Sequence, residues 1–230
     1  MTIGTKVERS GFTLIEFLFV VVVLTVFVAL LLPGLARRNV RSAKINCVNN
    51  LKQIGLSFRQ WALDNNDKFP MQVSVTNGGT MELIGNGNVF VHFLVMSNEL
   101  STPKLLFCPQ ETNPNRQAAW TFSSTSSPGY PSAIPFTNDH NVSYFVGLDA
   151  RENSPQTIIA GDDNLAIRGA RVNRGILSLW TNTPVAWTKE RHVNQGNFCF
   201  ADGSVQGLSS KALTPIFQAT GFATNRLVFP

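Results

Sequence analysis

Hydrophobic positions divide this chain into three stretches of different period. From Phe12 to Leu32 every side chain except Glu16 is uncharged and nearly all are apolar. As a helix this run would rise roughly 31 Å, enough to cross a bilayer. Pro33 and Gly34 follow, a pair that predicts a kink. Beyond them, Ala36, Val40, Ala43, Cys47, Leu51, Ile54, Phe58 and Trp61 recur at gaps of three and four, one face of an amphipathic helix over 36–65. Breakers in DNNDKFP end that helix near Asn65 and Asn66.

After residue 66 the pattern shortens to β-type runs: Val89 to Met96, Val142 to Leu148, Thr157 to Ala160, Ile176 to Trp180, Asn197 to Ala201 and Ser204 to Leu208. Asp202-Gly203 between the last two predicts a β-hairpin. Asn77-Gly78 and Asn86-Gly87 mark turns, and the second suits a hairpin. Residues 111–140, rich in Ser, Pro and Asn, read as a long loop or insertion suited to partner contacts, and Lys211 to Ala219 as a short helix.

Composition changes this picture little. Charged residues are 14% of the chain against 43% apolar, and the formal charge is +5. Arg37, Arg38, Arg41 and Lys44 cluster just past the apolar run, a pattern suited to lipid phosphates or an acidic partner. No basic stripe with interleaved aromatics follows, so nucleic acid is not an expected partner. By the positive-inside rule the cluster would leave the C-terminal domain in the cytoplasm. A cleavable secretory signal, with Lys6 and Arg9 as its basic start, fits poorly because the apolar run is too long.

The string Gly11-Phe12-Thr13-Leu14-Ile15-Glu16 resembles the processing site of the type IV prepilin and type II secretion pseudopilin superfamily. The resemblance implies a basic leader, 1–11, cut after Gly11 by a prepilin peptidase that methylates the Phe12 amino group. It also implies assembly into a filament through Glu16, Phe17, Leu18 and Pro33, with Glu16 facing the Phe12 ammonium of a neighbouring subunit. A carboxylate in lipid costs about 2.5–3.5 kcal/mol, which such pairing offsets. The expected fold is α+β: a long kinked N-terminal helix over 12–65, transmembrane over 12–32, packed on an antiparallel β-rich head over 66–230. The expected location is a single-pass inner membrane with a periplasmic or extracellular head. The expected partners are copies of the chain or other pilin-like subunits, the peptidase, lipid and an assembly platform.

The C-terminal half resembles a bacterial subgroup of the same superfamily with His, nine residues, then Asp-Gly. His192 and Asp202-Gly203 have that spacing, and CVNNLKQIGLSFRQW, NNDKFP, FCPQE and GDDN belong to the same likeness. His192 and Asp202 suit a general base pair or metal ligation, but a structural role at the hairpin is the stronger reading. Asp162, Asp163, Asp202 and Asp139 offer hard oxygens for calcium, and otherwise no cofactor is expected. His92 and His140 have no ligand-like spacing.

Three cysteines with no CxxC spacing argue against zinc. If the head is exported, Cys47 and Cys108 are the favoured disulfide pair; three small buried residues is the other reading. With no GxSxG elbow, catalysis is not expected. A membrane-tethered module binding a glycan or cation, and more weakly a tethered hydrolase, are the alternatives.

Overall fold

The computed structural model describes residues 13–123 and 133–230, with backbone alone for residues 31–43 of its first helix. The described chain divides into two compact units, Met1–Ser42 and Ala43–Pro230. Helix α1, Leu14–Asp64, is assigned continuously through Pro33 and Gly34 and contributes its later turns to the second unit.

The start of α1 is fixed locally. Thr13 and Glu16 stand in the T-x-x-E arrangement of a capping box. The Glu16 carboxylate accepts from the Thr13 backbone N–H at 2.8 Å and from its hydroxyl at 2.9 Å, while the Glu16 N–H donates to the Thr13 hydroxyl at 3.4 Å. The backbone bond above all, then the hydroxyl, holds this exposed carboxyl below its ordinary pKa.

Among the described residues no helix is long and apolar enough to cross a membrane. The apolar side chains described at the start of α1, from Leu14 to Leu30, rise only about 25 Å against the ~30 Å of a hydrocarbon core. Phe12, and the side chains of Leu31 and Leu32, which completed the expected 12–32 span, lie outside what is described. The expected pilin-like fold with its transmembrane, kinked helix is therefore overturned. The inner-membrane topology and the membrane-tethered binding module fall with it.

In the second unit the architecture is α+β. Strands β1 (Tyr144–Gly147), β2 (Ile158–Asp162), β5 (Gly175–Trp180), β7 (Gln195–Phe200), β8 (Val205–Ser209) and β9 (Thr224–Phe229) form an antiparallel sheet in the order β5-β9-β1-β2-β7-β8. Strands β3 (Leu165–Ile167), β4 (Ala170–Arg171) and β6 (Val185–Trp187) form a smaller one, β4-β3-β6. The central strands are buried on both faces, so they lack the polar alternation of a half-exposed sheet.

One face of the large sheet packs on α1. Cys47, Leu51, Ile54, Phe58, Trp61 and Ala62 join Tyr144, Val146, Cys199 and Ala201 in one core. Facing the other way, Phe145 and Phe198 join Phe217 of α4 (Ser210–Ala219), Trp187 and Phe229 in a second. Gly55 makes the close approach of α1 possible: a Cβ there would lie 2.5 Å from the Cys199 sulfur and 3.3 Å from the Gly203 Cα.

The segment expected as a strand over Val89 to Met96 is instead α2 (Phe90–Leu94), followed by α3 (Ser97–Leu100). Val89, His92, Phe93 and Met96 are its buried positions, at helical spacing. Asn86-Gly87 closes a 3-10 turn with Gly87 in the left-handed region, and no hairpin forms there.

Candidate functional site

Four separated stretches converge on one buried centre. Helix α1 brings Cys47, the turn after Leu106 brings Cys108 and Glu111, the end of β2 brings Asp162 and Asp163, and the loop before β7 brings Arg191 and His192. Cys47 and Cys108 form a disulfide with a Cα separation of 5.4 Å, and both are fully buried. His192 Nε2 lies 3.6 Å from the Cys108 sulfur and 3.5 Å from an Asp162 carboxylate oxygen.

The loop that presents His192 is held in an unusual shape. His192, Val193 and Asn194 all have left-handed backbone, with φ of 53°, 50° and 59°. Such a run is costly for non-glycine residues, most of all for the β-branched Val193. The Asn164 side-chain amide secures it by donating to the Arg191 and Gln195 carbonyls at 3.2 and 3.1 Å. Asp162 is fixed from the other side, where its Oδ2 accepts from the backbone and side-chain nitrogens of Asn197, each at 2.8 Å.

Beside this centre lies a buried ion network. Arg116 pairs with Glu111 and Asp163, and Arg191 pairs with the same two carboxylates. Arg191 also donates to the Ser143 carbonyl, and the Ser143 hydroxyl donates to Glu111 at 2.7 Å. Burial would raise the Glu111 pKa, but Arg191, the Ser143 hydroxyl and Arg116 outweigh it and leave the carboxyl below its ordinary value. Two guanidiniums on two carboxylates keep the cluster neutral, which makes its burial tolerable.

The network forms one wall of a polar cleft of about 600 Å³, lined among others by Arg116, Asp139, Asp163, Arg171 and Arg174. Asp139 accepts from the Phe90 backbone N–H and from Arg174. Arg171 pairs with Glu190 and Asp163. Asp139 and Asp163 are nearly covered, whereas the side chains of Arg174, Glu190 and Arg171 remain 59%, 45% and 33% exposed. Asn113, Asn138 and Asn173 add amide groups to the lining.

His192 and the Asp202-Gly203 pair occupy different places. Asp202 and Gly203 form the turn between β7 and β8: Asp202 Oδ1 accepts from the Ser204 N–H at 2.8 Å, and Gly203 has a φ of 82°. Arg59 on α1 donates to the Asp202 carbonyl at 3.1 Å. Asp162, Asp163 and Asp202 are thus engaged in three separate settings and do not assemble a calcium site.

Among the described residues, the group of His, Cys, Asp or Glu side chains able to hold a metal ion together is Cys47, Cys108 and His192. Their ligand atoms all lie within 4.8 Å of one another. This corrects the expectation of no cofactor beyond calcium. The group's members come from three distant parts of the chain, and its two sulfurs are joined to each other in the disulfide.

The remaining sequence-derived residues are scattered. Gly11 and Phe12 lie outside the described residues, as do the side chains of Pro33, Arg37, Arg38 and Arg41. Phe17 and Leu18 are exposed on α1, and Lys44 donates to Gln195 of β7. His92 is buried and bonded to the Thr80 hydroxyl at 2.8 Å, and His140 bonds the Asn115 carbonyl at 3.1 Å. Sequence reasoning missed Arg116, Arg191 and Glu111. Their signal was position: Arg191 precedes His192 and Glu111 closes FCPQE.

No family model, curated protein or solved structure matches the chain. The resemblance to prepilins and pseudopilins therefore finds no support outside the quoted strings. The partners it implied, pilin-like subunits, prepilin peptidase and a membrane platform, do not stand, nor does the filament subunit role.

Proposed function

We propose that this chain is a non-catalytic binding domain for a small anionic solute, with the polar cleft at Arg116, Arg171 and Arg174 as its site. What carries this reading is the asymmetry of the lining charges. Asp139 and Asp163 are engaged by internal partners and nearly covered, while the side chains of Arg171 and Arg174 stay partly exposed. Guanidinium presents paired N–H donors that match carboxylate or phosphate oxygens, and the asparagine amides would take up hydroxyl groups. A volume of about 600 Å³ suits a ligand of metabolite size. The buried network sets the back wall, so Arg116 arrives pre-oriented instead of being ordered on binding.

Calorimetric titration of the chain with inorganic phosphate and, separately, with citrate tests this reading. Saturable binding of either anion that Arg174→Ala and Arg171→Ala each weaken at least tenfold supports it. Absence of saturable binding to both anions, or binding unchanged in both variants, overturns it.

A further inference from the structure

We infer that the cleft continues into a second, uncharged pocket, and that the two together take a sugar phosphate, its phosphate at Arg171 and Arg174 and its sugar ring beyond Asn138 and His140. This rests on the reading of the cleft as an anion site and names the class of its ligand.

The second pocket, of about 440 Å³, shares Asn138 and His140 with the cleft, so the two adjoin across these residues. It lies between residues 115–117 and residues 134–141, in the stretch whose Ser, Pro and Asn content marks a loop suited to binding. Its lining differs in kind from that of the cleft. Among the described residues it holds no charged side chain: its polar groups are the amides of Asn115, Gln117, Asn138 and Asn141, the Thr137 hydroxyl and the His140 imidazole. Ile134 and Pro135 supply an apolar patch.

Internal hydrogen bonds fix this frame and leave a defined set of groups over. Asn141 donates from Nδ2 to the Gln117 carbonyl at 3.1 Å and accepts at Oδ1 from the Thr137 N–H at 3.2 Å. Asn138 Oδ1 accepts from the His140 N–H at 2.9 Å, and the Gln117 N–H donates to the His140 carbonyl at 3.1 Å. Gln117 and Asn115 hold the frame with main-chain groups and are themselves exposed, which leaves their side-chain amides, each both donor and acceptor, for a ligand. His140 Nδ1 lies 3.1 Å from the Asn115 carbonyl. A carbonyl can only accept, so Nδ1 carries the hydrogen and, in the neutral ring, Nε2 is an acceptor. Amides, an imidazole acceptor and a small apolar patch match the hydroxyls and C–H faces of a sugar ring.

The change of charge between the two pockets selects the class. A dicarboxylate or polyphosphate long enough to span both would leave its second anion among amides with no cation to meet it. A ligand with its charge at one end and neutral hydroxyls at the other satisfies both linings. Because the frame is pinned by its own bonds, little of it has to be ordered on binding.

The test titrates the full chain calorimetrically with inorganic phosphate, with glucose 6-phosphate and with ribose 5-phosphate. At least one sugar phosphate is expected to bind tenfold or more tightly than inorganic phosphate. Gln117→Ala and Asn115→Ala, both changes at exposed positions, should each remove threefold or more of that gain while shifting the affinity for inorganic phosphate less than twofold. Arg174→Ala should weaken all three ligands. If inorganic phosphate binds but neither sugar phosphate binds more tightly, or if the gain survives both substitutions, this inference falls and the reading of the cleft stands. If none of the three binds, the reading of the cleft falls and this inference with it.

Discussion

Cys47 on α1 and Cys108, 61 residues further along the chain, are joined by a buried disulfide. The bond ties the helix to the segment that carries Glu111 and so to the ion network. Chain-entropy arguments put the stabilisation from closing a loop of this length at about 4 kcal/mol. Cys47→Ser/Cys108→Ser should lower the unfolding free energy by about 2–5 kcal/mol in urea titrations under oxidising, metal-free conditions. A loss below about 1 kcal/mol would mean that the non-covalent core alone fixes the position of α1.

Gly55 and Cys199 should be energetically coupled. Gly55→Ala gains roughly 1 kcal/mol of helix propensity but places a methyl group 2.5 Å from the Cys199 sulfur. Net destabilisation of about 1–3 kcal/mol is expected, as for overpacking of a rigid core. Adding Cys199→Ala removes the clashing atom and should recover part of that loss, which a double-mutant cycle measures directly.

His92 should make the fold acid-sensitive. Burial pushes its pKa from 6.5 down to about 4. The unfolded chain then binds the proton more readily than the folded one, so stability is full above about pH 6.5 and falls as pH drops toward 4. The loss is of order 3 kcal/mol at the low end. His92→Gln, which keeps a partner for Thr80, should flatten that part of the stability–pH curve; an unchanged slope between pH 6.5 and 4 would refute the assignment.

Arg191→Met should be costly despite the good fit of an apolar stem. It leaves Glu111 and Asp163 buried with Arg116 as their shared cation. Removing one partner of a buried pair costs about 3–5 kcal/mol. Guanidinium melts should show this loss.

Much of the second unit was legible because its signals are local. The stripe from Cys47 to Trp61 faces the core because helical period alone puts those side chains together. Asp202-Gly203 turns because glycine accepts a φ of 82°. The misreading at Val89 to Met96 came from short-range composition: Val and Phe favour strands, but burial at positions 89, 92, 93 and 96 follows a helix. At Glu16 the string TLIE carried a capping signature that a carboxylate in an apolar run obscured.

By itself the sequence determined the α+β class, the apolar stripe of α1 and the β7–β8 hairpin, since each depends on residues only a few positions apart. The Cys47–Cys108 disulfide that the sequence favoured is present, but only the tertiary structure decided that Asp162 and His192 lie beside it, and that Arg116 and Arg191 share two carboxylates. Those meetings depend on sheet order and helix docking. Such contacts are set by the packing of two cores and by burial that makes each charge require a partner, and no spacing along the chain encodes them.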